Sequence, residues 1–136
     1  MPHGVPAHIH AEAVRDALIE ARPAGATTVQ LRESTGRTVS QVRSGINFLR
    51  KSAAKWGLPP VTWSRTTGWQ LSEDPAVWIA FERILFNAEM RHITRAIDEV
   101  MTPHAKRAPG DDFVRLVLDQ LGGIRASLEV IIRIER

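Results

Sequence analysis

Seven basic side chains fall between positions 32 and 65. They are Arg32, Arg37, Arg43, Arg50, Lys51, Lys55 and Arg65, set against Glu33 alone, a local net charge of +6. Such a segment suits a polyanion, because each Lys or Arg that neutralises a phosphate releases a condensed counterion. The whole chain of 136 residues is net +3, while residues 75–136 balance nine basic against nine acidic side chains. The excess positive charge therefore belongs to the N-terminal half. Other chemistries lack their residues. With no cysteine there is no disulfide framework, thiolate zinc site or cysteine nucleophile. The histidines His3, His8, His10, His92 and His104 show no His-Glu-x-x-His spacing, and His8 and His10 stand two apart at what reads as a frayed helix start. No Gly-rich phosphate loop, nucleophile elbow or carboxylate cluster is present. The expectation is a protein that binds rather than catalyses, with no metal and no cofactor.

The elements that would position the basic residues follow from local rules. Val14, Leu18 and Ala21, with Ala13 and Ala17 beside them, predict a helix from about Ala7 to Arg22, ended by Pro23. Pro23 to Ala26 reads as a connector. Thr27 and Gln30 have the spacing of a capping box and open a short helix from Thr28 to about Thr35, with Val29 and Leu31 facing inward. Gly36 supplies a tight turn. Thr38 and Gln41 repeat the capping box and open a third helix to about Lys55, stopped by Gly57-Leu58-Pro59-Pro60. Val61-Thr62-Trp63 and Trp69-Gln70-Leu71, joined by Ser64 to Gly68, predict a β-hairpin with a basic, polar tip.

On the third helix, at 100° per residue, Val42, Ile46, Leu49 and Ala53 share one inward stripe. Ser40, Ser44, Asn47 and Lys51 lie opposite, flanked by Arg43 and Arg50. This outer face is polar and basic and carries no carboxylate. Arg can pair bidentately with guanine and Asn with adenine in the major groove, so Arg43, Ser44 and Asn47 are the expected base readers. Arg37, Thr38, Ser40, Arg50 and Lys51 complete the expected DNA contact set, with Arg65 and Thr66 at the hairpin tip. Gln41 reads as a cap and Phe48 as packing under a neighbour. Trp63 and Trp69 read as hairpin packing, Trp56 and Trp78 as core or interface.

The order helix, short helix, Gly turn, helix, hairpin resembles the winged helix-turn-helix pattern over about residues 9–72, most specifically in TTVQLRESTGRTVSQVRSGINFLRK. That resemblance implies a third helix in the DNA major groove and a wing on the backbone or minor groove. Over its whole length the chain resembles the small actinobacterial winged-helix proteins called RacP. The carriers are Ala11, Val14, Arg15 and Leu18, then Asp74–Arg83, Pro103–Ala105 and Val114–Val130. This likeness adds little beyond DNA binding.

Asp74-Pro75 opens a long helix expected to reach about Met101 and to end at Pro103, with His104 to Gly110 a basic loop. Val77, Phe81, Ile84 and Ala88 form one stripe; Phe86, Met90, Ile93, Ile97 and Val100 form another. Asp111-Asp112 then starts a last helix of about 25 residues, where Val117, Leu121, Ile124, Leu128 and Ile131 repeat at heptad spacing. Val114, Leu118 and Ile132 widen its apolar arc, which calls for contact on two sides. Gly122-Gly123 within it permits close helix packing or a kink.

The expected fold is thus mainly α, a winged helix-turn-helix with a small two-stranded wing plus two long C-terminal helices. Its parts are a DNA-binding domain over 1–73 and a helical dimerisation region over 74–136. The expected function is a sequence-specific double-stranded DNA-binding protein, a homodimeric transcriptional regulator. An architectural nucleoid protein of weak specificity, and a protein-interaction module without DNA binding, are the alternatives. With no signal-peptide core and no apolar run near 18 residues, the expected location is the cytoplasm, at the nucleoid, away from membranes. A small-molecule effector is left open.

Overall fold

The computed structural model describes residues 4–134, so His3 lies outside the described residues. The chain is mainly helical with a two-stranded antiparallel sheet, and it divides into two compact units, Met1–Phe81 and Glu82–Arg136. The division falls inside a helix, α4 (Pro75–Arg95), rather than at Asp74. The Trp78 indole N–H donates to the Ser72 carbonyl at 2.7 Å, which ties the first turn of α4 to the end of the hairpin.

The first unit is built on α1 (Ala7–Glu20), α2 (Thr28–Thr35) and α3 (Val39–Ser52). Both capping boxes form. Gln30 N–H donates to Thr27 Oγ1 at 3.2 Å, and Thr27 N–H donates to Gln30 Oε1 at 2.9 Å. Thr38 and Gln41 repeat this at 3.2 and 3.0 Å. Each box satisfies two of the amide donors a helix start leaves orphaned. Gly36 sits at φ +69°, a left-handed conformation that glycine adopts without penalty, and its N–H donates to Arg32 O.

The stripe Val42, Ile46, Leu49 and Ala53 is buried against Ala11, Val14 and Leu18 of α1, with Leu31, Val61 and Leu71 completing the core. Leu31 is fully buried, but Val29 is 54% exposed. Residues two positions apart on a helix point about 200° apart, so Val29 and Leu31 cannot both face inward. Helix α1 stops at Glu20, two residues earlier than expected, because the residue before Pro23 leaves the helical region. Helix α3 stops at Ser52 rather than Lys55. The chain then turns from Ala53 to Gly57 at φ +71°, and Leu58 N–H donates to Ala53 O at 2.8 Å.

Strands β1 (Val61–Ser64) and β2 (Gly68–Leu71) pair with Val61 opposite Leu71 and Trp63 opposite Trp69. The expected connector before α2 does more than connect. Ala26 N–H donates to Trp69 O at 2.9 Å, and Trp69 N–H donates to Ala26 O at 2.8 Å. Ala26 therefore lies along the free edge of β2 and anchors the hairpin to the start of α2.

In the second unit, Pro103 does not end the helix. A π-helical segment, Ala96–Met101, follows α4 and leads into α5 (Thr102–Arg107). Thr102 N–H donates five residues back, to Ile97 O, and Pro103 then falls in the first turn of α5, where no amide donor is needed. The expected basic loop from His104 shrinks to a short link after Arg107. Helix α6 (Asp112–Arg133) is capped by Asp111, whose Oδ1 accepts from Phe113 N–H at 2.9 Å and Val114 N–H at 3.3 Å. Its Oδ2 lies 3.0 Å from His104 Nε2. Ile97 and Val114 are the buried apolar residues of this unit among the described residues.

Candidate nucleic-acid interface

Helix α3 presents Ser40, Arg43, Asn47, Arg50 and Lys51 to solvent, with Ser44 half-buried between them. The inward stripe sets this orientation. Burial of Val42, Ile46, Leu49 and Ala53 leaves no other face for the polar residues. Asn47, Arg50 and Lys51 line one open groove on this face. The arrangement offers guanidinium forks, an amide and an ammonium on a single helix surface, which is the donor set that base edges and phosphates accept.

Arg37 is placed differently from the rest. It stands half-buried at the turn between α2 and α3. Its Nε donates to His10 Nδ1 at 2.8 Å and its Nη1 to Thr35 O at 3.3 Å. The side chain is thus a brace between α1 and the turn. Thr38 is exposed, but its hydroxyl oxygen is already the cap of α3. Arg65 and Thr66 are exposed at the hairpin tip, where Ser64 Oγ and Thr67 Oγ1 lie 2.5 Å apart and close the turn.

The hairpin is fastened at several points. Trp69 Nε1–H donates to Thr28 Oγ1 at 3.3 Å, Gln70 Nε2 to Pro23 O at 3.0 Å, and Arg22 Nε to Leu71 O at 2.7 Å. Trp69 is packed against the core, whereas Trp63 opposite it remains 38% exposed. Phe48 packs beneath its neighbours as expected, its ring 6.0 Å from Trp56 and 6.3 Å from His8. The Arg15 guanidinium lies 5.3 Å from the Trp56 ring centre. At the root of the hairpin a cavity of about 190 Å³ is lined by Leu18, Arg22, Pro23, Gly25, Gln70, Leu71, Ser72 and Glu73. No aromatic side chain lines it.

His10 is the residue that sequence reading misplaced. It is buried, not frayed, and its ring accepts from Arg37. Burial, and then the Arg37 guanidinium, hold its pKa below the ordinary histidine value of 6.5. At neutral pH the ring is therefore neutral, and because Nδ1 accepts from Arg37 its proton sits on Nε2. The signal was present: His10, Val14 and Leu18 stand at i, i+4 and i+8 on one stripe. Gly45 was also missed. A Cβ there would lie 2.8 Å from the His10 carbonyl oxygen, so glycine lets α1 and α3 approach.

The expected seam on α6 splits. Val117, Leu121 and Leu128 are half-buried within their own unit, while Ile124 and Ile131 face outward. Among the described residues, no group of three or more His, Cys, Asp or Glu side chains could hold a metal ion, and no helix is long and apolar enough to cross a membrane. Comparison with protein-family models, with curated proteins and with solved structures found no match to this chain.

Proposed function

We propose that the first unit is a winged helix-turn-helix and that the chain is a sequence-specific double-stranded DNA-binding protein, a homodimeric transcriptional regulator of the RacP kind. The observation that carries this reading is the outer face of α3. Ser40, Arg43, Asn47, Arg50 and Lys51 on it are exposed, and it is polar and basic, free of carboxylates, and held in register by two complete capping boxes around a left-handed glycine. In this reading α3 enters the major groove with Arg43, Ser44 and Asn47 at base edges, while Arg50 and Lys51 reach phosphates. Arg65 and Thr66 touch the backbone or minor groove. Arg37 acts mainly by holding the turn.

A two-fold dimer carries two copies of the α3 face, so the operator reads as an inverted repeat. Selection of bound duplexes from a random library, at fixed salt and with excess non-specific competitor, tests the whole reading. Enrichment of one inverted-repeat motif is the expected result. Retention of duplexes without a motif would assign an architectural role, and no retention at low salt would remove DNA from the function.

A further inference from the structure

Helix α6 carries its charge on one side. At 100° per residue, Arg115, Asp119, Arg125, Glu129 and Arg133 fall on one arc of its circumference. Another arc, with buried Val114 and half-buried Leu121 and Leu128, is turned into its own unit. Between the two runs a third strip, within about 80° of arc, made of Phe113, Leu116, Gln120, Ile124, Ser127, Ile131 and Ile134. It contains no charge, and all seven residues are exposed, Phe113 by 68% and Leu116 by 59%. Five of the seven are apolar, and an exposed, uncharged, largely apolar strip of this kind marks an interface on a soluble domain.

Six of the seven positions pair off about one centre, and the seventh, Ile124, mirrors onto Gly123. Phe113 and Ile134 are the outermost positions, then Leu116 and Ile131, then Gln120 and Ser127. Each pair is centred on the same point, the peptide between Gly123 and Ile124. That is the symmetry a two-fold interface requires, where residue i meets j and j meets i. We propose that this strip joins two copies of the chain as an antiparallel α6–α6 pair whose two-fold axis passes at Gly123–Ile124. The pairing rests on the dimer reading above and assigns it a face and a direction.

Each end pair is apolar against apolar. The one polar pair, Gln120 against Ser127 of the second copy, is matched in kind: the amide donates to a hydroxyl whose own proton already bonds to Gly123 O at 3.1 Å. Gly123 accords with such a crossing, though it shares its open surroundings with Gly122 beside it. Glycine is among the least favourable residues inside a helix, and a Cβ at position 123 would meet nothing within 4 Å in this chain. Nothing internal uses the space it leaves. At the crossing point of two helices the missing side chain lets the backbones approach.

Cysteine crosslinking in the full-length protein tests the pairing, since the chain has no cysteine of its own. A disulfide needs Cα atoms about 4.4–6.8 Å apart. Ile124→Cys, beside the axis, should oxidise to a covalent dimer. Gln120→Cys and Ser127→Cys should each stay uncrosslinked, because each lies roughly 10 Å along the axis from its own copy. The double variant Gln120→Cys/Ser127→Cys should crosslink. Crosslinking of Gln120→Cys alone would mean parallel helices and would overturn the proposal. A wild type that sediments as a dimer, about twice 15.2 kDa, with no crosslink in any of these variants, would overturn this face but keep the dimer. A wild type at 15.2 kDa would overturn both and leave the strip to a different partner.

Discussion

Gly45→Ala tests whether the helix that carries the basic face is seated as described. The added methyl would stand 2.8 Å from His10 O, 2.9 Å from His10 C and 3.1 Å from Val14 Cγ2. Two of these atoms are backbone, so no side chain can swing aside. To restore ordinary contact at 3.4 Å, α1 must retreat by about 0.6 Å. A gap of that size across Ala11, Val14 and Leu18 forfeits a quarter or more of the dispersion they gain against Val42, Ile46 and Leu49. Overpacking of this kind costs about 1–3 kcal/mol, and a clash against fixed backbone puts it in the upper part of that range, about 2–3 kcal/mol, partly offset by the roughly 1 kcal/mol that alanine gains over glycine in a helix interior. The net expectation is a loss of about 1–2 kcal/mol. In a unit of 81 residues that lowers the midpoint of thermal unfolding by roughly 5–15 °C. Circular dichroism melts of wild type and variant measure it. Binding to duplex DNA well below the melt should persist, because the outer face of α3 is untouched. An unchanged or raised midpoint would show the helix-propensity gain acting alone and would refute the close approach of α1 and α3.

Four other outcomes are expected. Arg43→Ala or Asn47→Ala should weaken binding to a selected site by roughly 1–3 kcal/mol and to random duplex by less; equal losses in competition titrations would move these residues from bases to phosphates. Arg65→Ala should weaken binding to all sequences and reduce the slope of log affinity against log salt by about one, whereas an unchanged slope would take the hairpin tip off the DNA. Thr38→Ala should cost about 1 kcal/mol in urea unfolding through loss of the α3 cap, and no change would mean the cap is dispensable. His10 titrates below 6.5 in the fold and near 6.5 when unfolded. Above that value both states are neutral and stability is flat. Below it the unfolded chain takes up the proton first, so stability falls with pH until the lowered native value is passed. His10→Gln should remove this part of the acid loss, and an unaltered pH profile of unfolding would show that the ring is not held neutral.

What could be read from the chain alone was whatever near neighbours in sequence decide. The two Thr-x-x-Gln caps, the Gly36 turn, the inward stripe of α3 and the Asp74 and Asp111 helix starts each depend on hydrogen bonds or side-chain directions within about four residues, and the hairpin on pairs no more than ten residues apart. The polar-basic face of α3 followed from the same periodicity, because placing Val42, Ile46, Leu49 and Ala53 inward leaves Arg43 and Asn47 outward. The tertiary structure decided the rest, wherever a residue's environment is supplied by a distant segment. His10 and Arg37 are 27 positions apart, and only the packing of α1 against the α2–α3 turn makes the histidine a buried acceptor and the arginine a brace. Ala26 becomes a sheet residue because Trp69 arrives beside it. Gly45 is required only because α1 crosses at that point. Pro103 stays within a helical path because the π-helical segment before it shifts the hydrogen bonding by one residue. On α6 the heptad pattern marked an apolar arc correctly but could not divide it. Which part is covered inside the unit and which part faces outward depends on the burial of Val114, Leu121 and Leu128, and an apolar side chain looks the same in sequence on either side of that division.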